Sequence, residues 1–398
     1  MNQSFDVKEL KRLCNQKEYI EYGLSFTSLE AMLFPVCESI LNETFNFNIK
    51  RVGSYFLSKS IENKLVLRKL NDNIKRIYKA EQSNRKVIIS QVKVLLEETC
   101  PYWIIKTDIK SFYESIDRNR IISKFKDDAI LSHYSMFLLK KLFSDTLISS
   151  STGVPRGMNI SATLSEIYMR KFDKWIKAFD GVFFYARFVD DIIIFINTFH
   201  DAKCLLEKIN FKLEEFAQGL TINQGKTQIF NGLKIKQFDL KDGIKKNEFL
   251  EYLGYRFTKD ENNNLNICIA EKKIKKIKTR IILSFMDYLK NKSFNLLNNR
   301  IKFLTGNYKI KKTSEGNILK SGIFFNYPNI NNNMQLNELN YYYRKILFCK
   351  KGKIGVELAK LPLTQRNKLK KYNFVDGFEK KLSKSFSYKE MKKIVECW

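Results

Sequence analysis

Asp190 and Asp191 are adjacent carboxylates at the centre of Tyr185-Ala-Arg-Phe-Val-Asp-Asp-Ile-Ile-Ile-Phe195. Acids fixed side by side repel each other, and a fold that holds them together neutralises them with a cation. An oxygen-rich site of one or two carboxylates, waters and substrate phosphates suits Mg²⁺. A third acid, Asp108, closes the apolar run Trp103-Ile-Ile-Lys-Thr-Asp108 and is followed by two aromatics, Phe112 and Tyr113. Lys226 adds a cation, beside the strand candidate that ends at Phe230. His133 and His200 are the only histidines, and the seven cysteines are scattered without a Cys-x-x-Cys pair. Histidine triads and a structural zinc therefore have almost no material, and the chemistry rests on carboxylates and metal. Each acid alone has an ordinary reading, as turn chemistry or as a helix cap. Their order along the chain gives them weight.

The elements that would position these groups follow from periodicity. Phe183 to Phe188 alternates and Ile192 to Ile196 follows, which predicts a β-hairpin with the paired acids at its turn. Trp103–Asp108 reads as a strand that delivers its acid at the C-terminal end. Residues 1–100 read as mostly helical, most clearly from Val87 to Leu96. Residues 119–150 return to helical spacing. Gly153-Val-Pro-Arg-Gly157 is a constrained loop feeding a helix whose apolar face is Leu164, Tyr168, Phe172, Trp175 and Phe179. Such a loop lets backbone N–H groups approach phosphates closely. Further on, Ala202 to Phe216 reads as an amphipathic helix and Phe249 to Phe257 as a hairpin turning at Gly254. Lys272 to Leu289 reads as a helix with Lys272, Lys273, Lys275, Lys276, Lys278 and Arg280 off its apolar stripe.

Across 398 residues, Lys and Arg number 71 against 42 acids, for a net charge of +29, which implies a polyanionic partner, nucleic acid first. Hydrophobic content of 44% supports a substantial core. No apolar run approaches the ~20 residues a spanning helix requires, no signal peptide is evident, and dispersed thiols suit a reducing cytoplasm. A cytoplasmic protein without membrane association is expected.

Taken in order, the motifs resemble the reverse transcriptases. Asp108-Ile-Lys-Ser-Phe-Tyr113-Glu-Ser-Ile-Asp117 is similar to their first catalytic motif, and Gly153-Val-Pro-Arg-Gly157 with Ser161 to the template and nucleotide loop. Phe188-Val-Asp190-Asp191 is similar to the aromatic-x-Asp-Asp hairpin, Asn223-Gln-Gly-Lys226-Thr227 to the lysine motif, and Leu253-Gly254-Tyr255 to the primer grip. Within the family, Asn84-Arg85-Lys86, Ser161-Ala-Thr-Leu-Ser-Glu166 and Arg300-Ile-Lys-Phe-Leu-Thr-Gly306 resemble the bacterial antiviral-defence and abortive-infection branch, with retron and group II intron enzymes more distant. Arg156 departs from the glutamine most members carry, and Phe188 from a common tyrosine. Neither the histidine motif of retron enzymes nor a nuclease or maturase-like extension is found.

The resemblance implies an α+β right-hand polymerase: fingers, a palm on an antiparallel sheet, a helical thumb and a helical C-terminal extension. The expected divisions are 1–102 (N-terminal extension and fingers), 103–258 (palm, with a fingers insertion at about 119–150), 259–310 (thumb) and 311–398 (basic extension). It implies RNA-directed DNA synthesis from dNTPs. Two Mg²⁺ ions, with Mn²⁺ as a substitute, would lie on Asp108, Asp190 and the Ile109 carbonyl, with Asp191 in support. Lys226 would serve the leaving pyrophosphate and Arg85 the γ-phosphate. Phe112, Tyr113, Arg156 and Gly157 would line the nucleotide, with Tyr113 excluding a 2′-hydroxyl, and the Lys272–Arg280 face would track duplex phosphates. Implied partners are a structured non-coding RNA template, the DNA product, and a second copy or a second defence protein. The competing readings are a template-independent or protein-primed nucleotidyl transferase on the same palm, and a catalytically silent nucleic-acid-binding protein.

Overall fold

The computed structural model describes residues 2–239, 243–244, 248–312 and 318–398. The chain divides into two compact units. The first is Met1–Ile88, Cys100–Gly232 and Phe238–Gly243, and the second is Ile89–Thr99, Leu233–Gln237 and Ile244–Trp398.

The first unit is built on an antiparallel sheet and a helical N-terminal region. A small hairpin, β1 (Ile49–Val52) and β2 (Tyr55–Ser58), precedes the helix Ile61–Tyr78. The main sheet takes β3 (Trp103–Asp108), β4 (Val182–Phe188), β5 (Asp191–Ile196) and β6 (Gln228–Asn231) in the order β4-β5-β3-β6. The central strand β5 has Ile192 to Ile196 fully buried, because helices cover one face and other core side chains the other. A strand covered on both faces reads as a continuous apolar run, which is what the sequence shows there. Helices Asn159–Lys177 and Phe199–Phe216 pack on this sheet, and their apolar faces supply Leu164, Phe172, Leu205 and Ile209 to the core. The helix Ile61–Tyr78 packs along Asn159–Lys177 and anchors the N-terminal residues. Its fully buried Lys69 donates to Glu9 Oε2 at 2.6 Å and to the Asn2 carbonyl at 3.2 Å. A buried ammonium is tolerated only with such partners.

The second unit carries a three-stranded sheet, Leu250–Tyr252, Tyr255–Lys259 and Leu265–Ile269, followed by the helices Glu271–Asn291 and Phe294–Thr305. A second small sheet pairs Asn307–Lys312 with Ile318–Gly322 and, in parallel, with Ser383–Lys384. The boundaries expected at 258/259 and 310/311 therefore each fall inside a strand. Nor does the expected C-terminal extension form a body of its own. Leu336, Leu339, Tyr343, Leu358 and Phe374 share one core with Ile274, Ile281, Phe285, Leu297 and Ile301 of the two preceding helices. Arg300 is buried beneath the last helix, pairing with Asp287 and donating to the carbonyls of Ile394 (3.1 Å) and Lys393 (3.2 Å). The residues of Arg300–Gly306 thus fasten the scaffold.

Candidate active site

Three strands converge on the acids. β5 pairs antiparallel with β3 in a register that sets Asp108 opposite Asp191. β4 pairs with β5 so that Phe188 faces Asp191 across the two-residue turn Val189-Asp190. Asp190 thus sits in the turn itself, and its carbonyl accepts from Ile109 N at 3.1 Å. Val189 has φ +60°, the only positive φ in the turn, and this is the II′ hairpin pattern that favours glycine at that place. A β-branched residue there is strained.

On the other side of β3, the segment before β6 brings in the lysine. Asn223 N donates to the Asp108 carbonyl at 2.7 Å, Lys110 N to the Thr221 carbonyl at 2.9 Å, and the Thr107 and Thr227 hydroxyls meet at 2.7 Å. The turn Gln224–Lys226 is thereby held so that Lys226 Nζ lies 2.8 Å from Asp108 Oδ2. The lysine side chain is 67% exposed while that of Asp108 is 10% exposed, so the cation leans in from solvent over a buried acid. Its hydrogen bond to Asp108 raises the Lys226 pKa.

Electrostatics set the acids apart from ordinary surface carboxylates. Burial pushes Asp190 up, and repulsion from Asp108 adds to it. Burial and the Asp190 charge lift Asp191 to about 6, against a smaller opposing pull from Lys106. Asp108 Oδ1 is buried and has no hydrogen-bond partner among the described residues. An orphaned carboxylate oxygen beside two acids that resist ionisation is a set of donors waiting for positive charge. Among the described residues no three carboxylate, histidine or cysteine side chains form a complete metal cluster. The set fits a hard divalent ion that draws the rest of its shell from carbonyl oxygen, water and substrate phosphate.

The Gly153–Gly157 loop is locked to the aromatic segment that follows Asp108. Val154 N donates to the Tyr113 carbonyl at 2.8 Å, and a Cβ on Gly153 would lie 2.0 Å from that same oxygen. Arg118 Nη2 holds the Ser151 carbonyl at 2.8 Å and its Nε the Gly153 carbonyl. Arg156 Nη2 donates to Glu114 Oε2 at 2.9 Å, with its guanidinium 5.9 Å from the centre of the half-buried Tyr113 ring. Gly157 has φ +93° and packs against β2, where Phe56 N donates to the Arg156 carbonyl at 2.7 Å. Phe112 is 2% exposed and belongs to the core, so its ring supports Tyr113 from behind and does not line the site. Arg85 is half-buried at the start of the helix Arg85–Glu97.

Sequence reasoning missed what lies beneath the acids. Arg187, 4% exposed, donates to Glu166 and Asp173 of the helix Asn159–Lys177 and to the Val189 carbonyl. Glu166 and Asp173 lie seven residues apart on one helix face, a spacing that could have flagged two acids bordering an apolar stripe.

The remaining expected residues lie in the second unit. Leu253 (φ +45°) and Gly254 (φ +84°) form a tight turn of the I′ pattern between the strands Leu250–Tyr252 and Tyr255–Lys259. Tyr255 is buried, with its hydroxyl 3.4 Å from the Asn326 carbonyl. On Glu271–Asn291, Lys272, Lys273, Lys275 and Lys276 are exposed. Lys278 instead pairs with Glu338, and Arg280 lies 5.1 Å from the Trp398 ring.

Residues 55–257, about half of the chain, match the family described as reverse transcriptase (RNA-dependent DNA polymerase). The chain belongs to that reverse transcriptase family, whose domains use divalent metal ions. No curated protein sequence matches it. Solved structures similar to it include apo telomerase from Candida tropicalis truncated from the C-terminal domain, at 15% identity and a TM-score of 0.36, over 52% of this chain and 44% of that one. Apo telomerase from Candida tropicalis is similar at 14% identity and a TM-score of 0.37, over 63% and 44%. Telomerase from Candida albicans in complex with a TWJ fragment of telomeric RNA is similar at 11% identity and a TM-score of 0.37, over 88% and 58%. The chain spans less than two thirds of each of these telomerase chains. Among the described residues no helix is long and apolar enough to cross a membrane.

Proposed function

We propose that the protein is an RNA-directed DNA polymerase that adds dNTPs to a primer 3′ end, with Asp108, Asp190 and the Ile109 carbonyl holding two Mg²⁺ ions and Asp191 supporting them. The observation that carries this reading is the unpartnered, buried Asp108 Oδ1 across β3 and β5 from two acids whose ionisation the fold opposes. When bound, the ions lower the pKa of the primer hydroxyl and neutralise the triphosphate. The rest falls to this chain's own side chains. Lys226, whose exposed ammonium lies against Asp108 Oδ2, would serve the leaving pyrophosphate. Arg85 binds the γ-phosphate, and Tyr113, braced by Phe112 and the Gly153 loop, presents its ring below the sugar and rejects a 2′-hydroxyl. Arg156 and Gly157 complete the nucleotide surface, with Leu253, Gly254 and Tyr255 as primer grip and the exposed Lys272, Lys273, Lys275 and Lys276 on duplex phosphates.

The finer reading is a bacterial anti-phage polymerase, in the cytoplasm, with a dedicated structured RNA. Its support is the resemblance at Arg85, Ser161 to Glu166 and Arg300 to Gly306. It is joined by a groove of about 820 Å³ in the second unit, lined by Tyr341, Tyr342, Lys345 and Lys353. The exposed Tyr341 ring among lysines suits unpaired RNA, where bases stack and cations hold phosphates.

Replacing Asp190 and Asp191 together by Ala tests the catalytic reading. Mg²⁺-dependent dNTP incorporation on an RNA template falls to background in a protein that keeps its fold, and full incorporation by the double variant refutes the assignment. Sequencing products made with and without supplied template separates templated synthesis from terminal addition.

A further inference from the structure

The turn that carries Asp190 is an unfavourable piece of backbone. Val189 has φ +60°, where a β-branched side chain costs on the order of 1–3 kcal/mol, and such conformations persist only where their surroundings over-determine them. Among the described residues, Arg187 hydrogen-bonds the turn from below through the Val189 carbonyl. Arg187 spends all five of its N–H donors: Nε on Asp173 Oδ1 (2.9 Å), Nη1 on Glu166 Oε1 (3.2 Å) and the Val189 carbonyl (2.9 Å), and Nη2 on Glu166 Oε2 (2.7 Å) and Asp173 Oδ2 (2.7 Å). Tyr185 adds its hydroxyl to Asp173 Oδ1 at 2.6 Å. A planar fork with every donor committed is rigid, and only one of the five goes to the turn. The other four fix the guanidinium to the helix Asn159–Lys177. That helix also receives the Gly153–Gly157 loop at its start, where Ser161 Oγ donates to the Pro155 carbonyl at 2.6 Å.

We propose that Glu166, Arg187 and Asp173 form a clamp that holds Val189 in its left-handed conformation and so sets Asp190 and Asp191 at the geometry nucleotidyl transfer requires. Arg187 is thus a positioning residue that acts through the Val189 carbonyl and touches neither metal nor nucleotide. The proposal rests on the reading of Asp190 and Asp191 as catalytic. A purely structural role, joining helix to sheet, makes a different prediction. A buried ion network exchanged as a whole for neutral groups of similar shape need not destabilise, whereas removing one partner strands a charge.

The test is therefore the charge-free variant Glu166→Gln, Arg187→Met, Asp173→Asn, with Arg187→Lys beside it. Lysine keeps the charge but cannot reach three acceptors as a fork. Each is assayed for single-nucleotide incorporation and, separately, for the rise in thermal midpoint on adding Mg²⁺, which needs no turnover. For either variant that keeps the wild-type midpoint without metal, kcat falls at least tenfold and the Mg²⁺-induced rise shrinks. KM for dNTP stays within threefold. Incorporation within twofold of wild type in such a variant overturns the clamp, as does an equal loss in kcat and in dNTP binding. If the charge-free chain fails to fold, Arg187→Lys decides alone by the same criteria. If both fail to fold, Arg187 is structural and the clamp is overturned. An inactive wild-type protein under the same conditions refutes the polymerase reading instead, so the two failures are distinguishable.

Discussion

Replacing Asp191 by Asn should stabilise the metal-free protein at neutral pH while disabling it. Asp191 lies opposite Asp108 and beside Asp190, and its pKa rises from 3.8 to about 6, chiefly by burial and then by the Asp190 charge. The folded chain therefore binds this proton more tightly than the unfolded chain does. For an acid raised in this way, stability is lost as pH climbs through the window from about 4 to about 6, and the loss is complete above it. A shift of that size corresponds to about 3 kcal/mol at 1.36 kcal/mol per unit. Solvent screening and sharing of the repulsion with Asp190 reduce it to roughly 1–2 kcal/mol. At about 2–4 °C per kcal/mol for a unit of this size, Asp191→Asn raises the thermal midpoint by roughly 2–8 °C at pH 8 in chelator. At pH 5, midway through that window, only about half of that advantage remains, because the folded carboxyl is largely protonated while the unfolded one is already ionised. Mg²⁺ reverses the ranking. A ligand at a hundred times its Kd stabilises the native state by about 2.7 kcal/mol, and the variant, short of one charge, gains less. Differential scanning fluorimetry at pH 5 and 8, with chelator and with Mg²⁺, reads all four conditions. A variant no more stable than wild type at pH 8 without metal, or one stabilised equally by Mg²⁺, refutes the argument that these acids are held against their repulsion for a cation.

Two further outcomes follow from the site and the second unit. Tyr113→Ala should raise the kcat/KM of ribonucleotides relative to deoxynucleotides by tenfold or more, because the braced ring is the group placed under the sugar; an unchanged ratio removes Tyr113 from that role. Tyr341→Ala with Lys345→Glu and Lys353→Glu should weaken binding of single-stranded RNA, about 1–3 kcal/mol or roughly 5- to 150-fold for each stacked base lost, with the thermal midpoint unchanged since Tyr341 is 68% exposed. RNA bound with unchanged affinity by that variant rules the groove out.

What the sequence disclosed and what it concealed divide along physical lines. β5 was legible because a strand buried on both faces must be apolar throughout, and Asp108 because an acid ends an apolar run. The Leu253-Gly254 turn was legible because glycine takes the φ +84° such turns demand. The hairpin β1–β2 was not. Its strands are four residues each, and Val52, Tyr55 and Leu57 are exposed, so the alternation that marks a half-buried strand is missing despite Gly53 at its turn. Phe112 was expected at the nucleotide together with Tyr113, but its ring, 5.3 Å from that of Tyr113, is 2% exposed and packed in the core. The expected divisions at 258 and 310 had no local signal behind them. No glycine- or proline-rich linker marks 258 or 310, and strands run through both positions. Truncation before Leu336 would consequently strip the core that Ile281, Phe285 and Leu297 share with the tail, which is why point substitutions on the exposed groove are the better probe.

Arg187 was hidden for the most instructive reason. On β4 it is one polar residue in an alternating strand, which reads as a solvent-facing position. Its burial is decided by Glu166 and Asp173, 21 and 14 residues earlier, on a helix that was read for its apolar stripe alone. Two acids at the edge of such a stripe, followed by a strand carrying one arginine, form a unit that no single window reveals. The unit also explains how the site tolerates its own strain. Asp190 and Asp191 repel, Val189 is contorted, and Asp108 keeps one oxygen unpaired, all of which favour relaxation of the turn in the absence of a cation. The opposing restraint is a guanidinium with four of five donors fixed to a helix. Loosening it therefore predicts a turn that relaxes before the ion arrives, lost metal response ahead of lost fold, and a kcat defect without a matching defect in nucleotide binding.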